Sequence, residues 1–350
     1  MLTQQSCRSR QIHLQCPSQT HPQQDSPLAK LEDLTASLQR LHEQLPALTL
    51  DPQKDRDNGA SPEANTYREH YGLVHLTENK QVNHSLGAIP LGGYSIACQY
   101  WLPPAPVGTV FVVHGYFDHM GLYGHLFQYL LNQNLAVLAF DLPGHGLSDG
   151  ERVTIASFDH YVEIFDALLA LALKHLPQPW HGVGQSTGGA IVLKHLLKEN
   201  SDTHLFDRIV LLAPLLHPRN WQTSRLVYFF AHRFLNHIRR HFTKNSGDPA
   251  FVEFLAHRDP LQATHIPLEW IGAMKRWTEE FHQLPPSEFP LTIIQGDRDQ
   301  TLDWRYNLEQ FQKKLPRART HIIPGAQHHL VNERAELRTG IFNRMGLAKN

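Results

Sequence analysis

Two short stretches constrain this chain more than any other feature. Thr109–Val113 (TVFVV) and Ala136–Phe140 (AVLAF) are apolar at nearly every position, so neither face of either strand can be left to water. A strand buried on both faces belongs inside a sheet covered by helices. From about residue 70 onward the chain supplies that pattern. Further strands are expected over residues 95–101, 180–183, 208–213, 291–295 and 320–323. Between them run helical repeats: Val162, Phe165, Leu169, Ala172 and Leu176 share one face of 158–176, and a helix is expected over Thr187–Lys198. Such alternation specifies an α/β fold with a mostly parallel central sheet flanked by helices.

The alternation stops between about residues 215 and 286, which marks a helical lid or cap inserted between strands. Within it, residues 225–242 place Val227, Phe230, Phe234, Leu235 and Ile238 on one helical face, with Arg233, Arg239 and Arg240 mostly elsewhere. Two readings fit such a segment: a lid that faces lipid and touches a membrane peripherally, or a cap helix that buries its apolar face on the core. At the other end, residues 1–69 are expected to form an N-terminal extension and linker outside a main domain of 70–350. Residues 1–26 are rich in Gln, Ser, Pro and His, a composition that favours disorder. Leu31, Leu34, Leu38, Leu41 and Leu45 form a short helical stripe that either packs on the main domain or is a weak extension, and residues 51–66 read as the linker.

Composition removes several classes of function. The formal net charge of −1 offers no basic field to recruit nucleic acid. The 25 histidines are scattered, and no HExxH string points to a metal site, so no metal or organic cofactor is expected. No run of 18 apolar residues suggests a membrane-spanning helix. The three cysteines, Cys7, Cys16 and Cys98, imply no disulfide framework, and a cytoplasmic location is the expectation.

The sharpest chemical signal is Gly184-Gln185-Ser186-Thr187-Gly188, set between an apolar strand and a helical pattern. A nucleophilic serine must be lifted clear of the sheet on a strained turn, and glycines two before and two after relieve the crowding there. A serine hydroxyl also needs a base and an acid to orient that base. In this architecture the acid comes first after the serine, then the histidine. Downstream, the strand at 291–295 runs into a loop holding Asp297, Asp299 and Asp303, and the strand at 320–323 runs into His328 and His329. The residues alone leave both choices open. An oxyanion needs two donors: the Thr187 amide, just after the nucleophile, and the Tyr116 amide, in the loop entered through His114 and Gly115 after TVFVV.

Four segments then carry a resemblance. HGYFDHMGLYGHL (residues 114–126), FDLPGHGLSDG (140–150), QGDRD (295–299) and GAQHHLVNE (325–333) resemble, in order, the motifs of the lysophospholipase and monoacylglycerol-lipase group of α/β-hydrolases. The resemblance runs from about residue 95 to 335 and implies the α/β-hydrolase fold. It selects Asp299 as the acid and His328 as the base, with Ser186 as nucleophile. It implies a small-molecule ester as substrate, single-chain lipid esters first. A small-ester carboxylesterase or aminopeptidase-like amidase is the alternative, and a non-catalytic binding module on the same scaffold is the rival of another class. His119, Asp141 and His145 match loops bordering the site in that group, and the expectation is that they fix those loops by hydrogen bonds. Thr187 departs from the group, in which many members carry Met; the backbone donor is unaffected.

Overall fold

A computed structural model describes residues 27–78, 81–198 and 204–347. The expected disorder of residues 1–26, with Cys7 and Cys16, lies outside the described residues. Ten strands occur among those described: β1 (Asn83–Leu91), β2 (Tyr94–Leu102), β3 (Thr109–Val113), β4 (Ala136–Phe140), β5 (Trp180–Gln185), β6 (Phe206–Leu212), β7 (His237–Arg239), β8 (His265–Pro267), β9 (Thr292–Gly296) and β10 (Arg319–Ile323). Eight of them form one sheet in the order β1-β2-β4-β3-β5-β6-β9-β10. The first two pairings, β1 with β2 and β2 with β4, are antiparallel, and every pairing from β4 to β10 is parallel.

The double burial read from TVFVV has a direct counterpart. Val110 and Val112 pack on one side of the sheet with Leu126, Phe127 and Leu130. Phe111 and Val113 pack on the other with Phe158, Phe165 and Trp180. All six residues of β5 are buried, and the helix Thr187–Lys198 that follows it is buried along nearly its whole length. Among the described residues no helix is long and apolar enough to cross a membrane.

The segment before residue 70 is more than an extension and linker. The helix Pro27–Glu43 buries Leu38 and Leu41 against the same cluster as Tyr67 and Trp101. Within 51–66, Asp55 is buried and accepts hydrogen bonds from Thr49 N–H (3.0 Å) and Tyr100 O–H (3.3 Å). Pro62 opens the helix Pro62–His70, capped by Ser61 Oγ accepting from Ala64 N–H. The polar composition that reads as a linker is satisfied by one buried carboxylate and one helix cap. The edge strand β1 was not expected from the sequence. Gly87 and Pro90 interrupt its pattern, and it is covered by the chain at Pro46–Leu48, where Ala88 N–H donates to Pro46 O (2.8 Å) and Ala88 O accepts from Leu48 N–H (2.9 Å).

The cap also departs from expectation. The helix Trp221–Ala231 is followed at 237–239 by β7, paired antiparallel with β8. The single helical face over 225–242 is therefore divided: Ile238 lines an internal cavity, while Phe230 and Phe234 are 63% and 85% exposed. The Val227 side chain lies outside those described. Pairing with 265–267 supplies Ile238 with backbone partners that a continued helix would have supplied within itself, and a β-branched residue favours the strand.

Candidate active site

Strands β3, β5, β9 and β10 are parallel, so the loops after them open at one rim of the sheet. Ser186 stands alone between the end of β5 and the start of the helix Thr187–Lys198, with φ +53°. A left-handed conformation costs an ordinary L-residue about 1–2 kcal/mol. It is held by bonds at both of its peptide groups. Ser186 N–H donates to Leu212 O (2.8 Å), and Ser186 O accepts from Ala190 N–H and Leu215 N–H, both at 3.0 Å. The neighbouring glycines are required by closeness: a Cβ on Gly184 would meet the Gly188 carbonyl, and one on Gly188 would meet the Val113 carbonyl.

The loops after β9 and β10 bring two side chains to this serine. His328 Nε2 lies 3.0 Å from Ser186 Oγ, and His328 Nδ1 lies 2.8 Å from Asp299 Oδ2. Of the three acidic candidates, Asp299 alone reaches the imidazole. Asp297 instead accepts from Gly325 N–H (2.7 Å), tying the acid loop to the histidine loop, and Asp303 caps the helix Trp304–Lys314. His329 turns away from the serine and places Nε2 3.2 Å from Asp118 Oδ1.

The acid is fixed on all sides: Asp299 Oδ1 accepts from Thr301 and Leu302 N–H (2.8 and 3.0 Å), and Oδ2 accepts from Gln295 Nε2 (3.0 Å). Burial alone would raise this carboxyl, but the His328 charge and these hydrogen bonds hold it below the usual carboxylate value. The same contest acts on His328. Burial works to depress it, and the Asp299 charge and hydrogen bond outweigh burial and lift it above the ordinary histidine value.

Several residues that support this chain carried no signal read from the sequence. Gln185 Nε2 donates to His328 O (3.0 Å), and buried Glu333 accepts from Gln327 N–H (2.7 Å) and Gly247 N–H (2.9 Å). Both lie inside motif segments, Gln185 beside the serine and Glu333 at the end of GAQHHLVNE, and that position was the available clue.

The expected loop residues divide by role. Asp141 accepts from Met120 N–H (2.7 Å) and Leu147 N–H (2.8 Å), so it anchors both loops. His114 Nε2 accepts from Leu142 N–H (2.9 Å), leaving Nδ1 to donate to Gly115 O (2.8 Å); burial lowers its pKa, in keeping with a neutral ring. Gly115 N–H donates to Tyr123 Oη (3.0 Å), which in turn donates to Asp118. His145 bonds Pro143 O (2.9 Å) through Nδ1, and burial drives its pKa well down. His119 reaches across to Asp259 of the cap (3.2 Å). Neither His119 nor His145 lines the cavity over Ser186.

That cavity holds about 550 Å³ and includes Ser186, His328, Tyr116 and Thr187 among its lining residues. Thr187 begins its helix, where the first amides have no intrahelical acceptor. Its lining includes the apolar side chains Leu215, Ile238, Ile266, Leu268, Ile271 and Met274. Among the described residues Asp118 is the one carboxylate lining it, and that group is held by Tyr123 and His329.

Comparison with known proteins accords with this arrangement. The chain is 26% identical over 272 residues to the monoglyceride lipase of Homo sapiens, covering 73% of this chain and 86% of that protein. It is 34% identical over 122 residues to the monoacylglycerol lipase of Mycolicibacterium smegmatis, covering 34% of this chain and 43% of that one. A soluble variant of the Saccharomyces cerevisiae monoglyceride lipase, solved with a substrate analogue, has the same fold, with a TM-score of 0.62 at 18% identity over 72% of this chain and 90% of that one. The family described as serine aminopeptidase, S33 matches residues 104–335, more than half of the chain. The chain is therefore an α/β-fold hydrolase and belongs to the serine aminopeptidase S33 family.

Proposed function

We propose that this hydrolase cleaves single-chain lipid esters through an acyl-serine intermediate on Ser186, with His328 as base and Asp299 as its orienting acid. The observation that carries the reading is the unbroken chain Asp299–His328–Ser186, at 2.8 and 3.0 Å, opening into an apolar cavity. His328 Nε2 takes the hydroxyl proton as Ser186 Oγ bonds to the ester carbonyl carbon. The carbonyl oxygen becomes an oxyanion facing the Tyr116 and Thr187 amides. His328 then gives its proton to the departing alcohol as the C–O bond breaks. Water, losing a proton to His328, attacks the acyl-serine, and His328 returns that proton to Ser186 Oγ as the acyl C–O bond breaks and the fatty acid leaves.

The lipid part of the proposal rests on the cavity wall and on the relatives. A peptidase that reads a free α-amino group needs a carboxylate to receive it, and Asp118 is already engaged by His329 and Tyr123. An acyl chain matches the six apolar side chains of the cavity lining. The outer surface extends the same argument. Residues 214–247 contain Arg219, Arg225, Arg233, Arg239, Arg240 and Lys244 and no Asp or Glu, and they expose Leu226, Phe229, Phe230, Phe234, Leu235 and Phe242. Such a surface suits peripheral contact with an anionic membrane.

Replacing Ser186 by Ala is expected to abolish hydrolysis of a monoacylglycerol and labelling by a fluorophosphonate, with the melting temperature retained. Turnover by Ser186→Ala at the wild-type rate would remove Ser186 from the mechanism. Faster wild-type cleavage of an aminoacyl-naphthylamide than of monoacylglycerols of any chain length would remove the lipid reading.

A further inference from the structure

We propose that two cap residues, Arg240 and Gln262, are positioning residues for the oxyanion donor Tyr116, because together they lock the turn that carries its amide. The inference rests on the reading of Tyr116 N–H as a donor to the oxyanion.

Tyr116 and Phe117 are the middle residues of a tight turn closed by Asp118 N–H donating to Gly115 O (3.1 Å). Phe117 has φ +67°, at a position where a turn of this kind calls for glycine. A bulky residue keeps that conformation only when its surroundings leave no alternative. Here the restraint comes from the cap. Gln262 Nε2 donates to Phe117 O (3.0 Å), and the Arg240 guanidinium lies 3.8 Å above the Phe117 ring. The two are joined to each other, since Arg240 Nη1 donates to Gln262 Oε1 (2.7 Å) and to Ala263 O (3.1 Å). Phe117 is thus gripped by its carbonyl and by its ring.

The clamp is anchored at its far end. Arg240 N–H donates to Thr264 O (2.9 Å), continuing the pairing of β7 with β8. Gln262 Nε2 also donates to Asp259 Oδ2 (2.8 Å), and Asp259 is held by Tyr71 O–H (2.7 Å) and His119. Trp270, a third cap residue, stacks on the Tyr116 ring with centroids 3.7 Å apart. Released from this grip, Phe117 would relax to negative φ, and the turn would carry the Tyr116 N–H off the position the oxyanion takes. Arg240 and Phe117 line the cavity over Ser186 and Gln262 does not, so the effect on the chemical step is read most directly at Gln262.

The test compares Gln262→Met, Arg240→Met and Arg240→Lys with wild type on a short p-nitrophenyl ester, measuring kcat, KM, the rate of fluorophosphonate labelling and the melting temperature. Both methionine variants are expected to lose kcat by about ten- to a hundredfold, and Gln262→Met, which leaves the cavity lining intact, to do so at nearly constant KM, the signature of an interaction used in the transition state. Labelling should slow in parallel, since it passes through the same oxyanion. Arg240→Lys keeps a cation over Phe117 and loses the planar fork to Gln262, so its kcat should fall between the others and wild type. Full kcat in Gln262→Met, or a loss carried wholly by KM, overturns the inference. If the methionine variants prove unstable, Arg240→Lys decides: full kcat and full labelling rate overturn it, and kcat and labelling rate reduced in parallel support it. A folded wild type that takes no label on Ser186 would instead overturn the underlying reading of the nucleophile, and this inference with it.

Discussion

The Asp299 carboxylate and the His328 imidazole each stabilise the charged form of the other, and in the proposed mechanism this sets the pH at which Ser186 is activated. The base must be neutral to accept a proton. With its pKa lifted by Asp299, His328 becomes neutral only above the ordinary histidine value of about 6.5, so kcat/KM should rise with pH through an inflection above that value. In Asp299→Asn the lifting charge is gone while burial remains, so the inflection should move to lower pH as the maximal rate falls by about 10⁴-fold. A pH–rate profile on a soluble ester reads both; an inflection that stays in place in Asp299→Asn would take Asp299 out of the role. At this scale the sequence was legible to an unequal degree. Ser186 was readable from local spacing, since strand, glycines and helix surround it within a dozen residues. The choice of Asp299 over Asp297 and Asp303, and of His328 over His329, was open to spacing and closed only by the family resemblance. Which side chain of an adjacent pair turns inward depends on loop geometry, here on Asp297 bridging to Gly325 and on Asp118 holding His329.

The elements of the sheet were far easier to read than those of the cap. Strands β3 and β4 were expected at the boundaries they have, because burial on both faces leaves no ambiguity of period. In residues 225–242 the same helical period runs on, yet the helix stops at Ala231 and β7 takes over. A three-residue strand is stabilised by its partner 28 positions away, and no local pattern announces that pairing. The break leaves Phe229, Phe230 and Phe234 bare beside Arg225 and Arg233. Each phenyl ring transferred to lipid contributes about 1.5–3 kcal/mol, and basic flanks add attraction to anionic headgroups. Co-sedimentation should therefore find the protein on phosphatidylglycerol vesicles more than on phosphatidylcholine vesicles, with binding weakened by salt. Phe230→Ser with Phe234→Ser should lower that binding about a hundredfold or more by the same arithmetic. Undiminished binding of the double variant would refute a role for this surface.

Across the whole molecule, the family match begins at residue 104, but the fold does not. Strands β1 and β2 and the helices Pro27–Glu43 and Pro62–His70 precede it, and Tyr67 is fully buried. Polar residues dominate 51–66, so composition suggested a tether; the burial of one carboxylate, Asp55, is invisible to composition. Removing Leu38 and Leu41 by a double change to Ala should lower stability by about 2–5 kcal/mol per site, read as a fall in the urea midpoint. An unchanged midpoint would mean that the first helix rests on the body without supporting it. Tyr71 gives this region a further significance. Its hydroxyl reaches Asp259 on the opposite side of the chain's midpoint, joining the chain just after the helix Pro62–His70 to the roof above Ser186. A gene trimmed to the family match at 104–335 would for that reason encode a sheet whose canopy has lost a guy-rope.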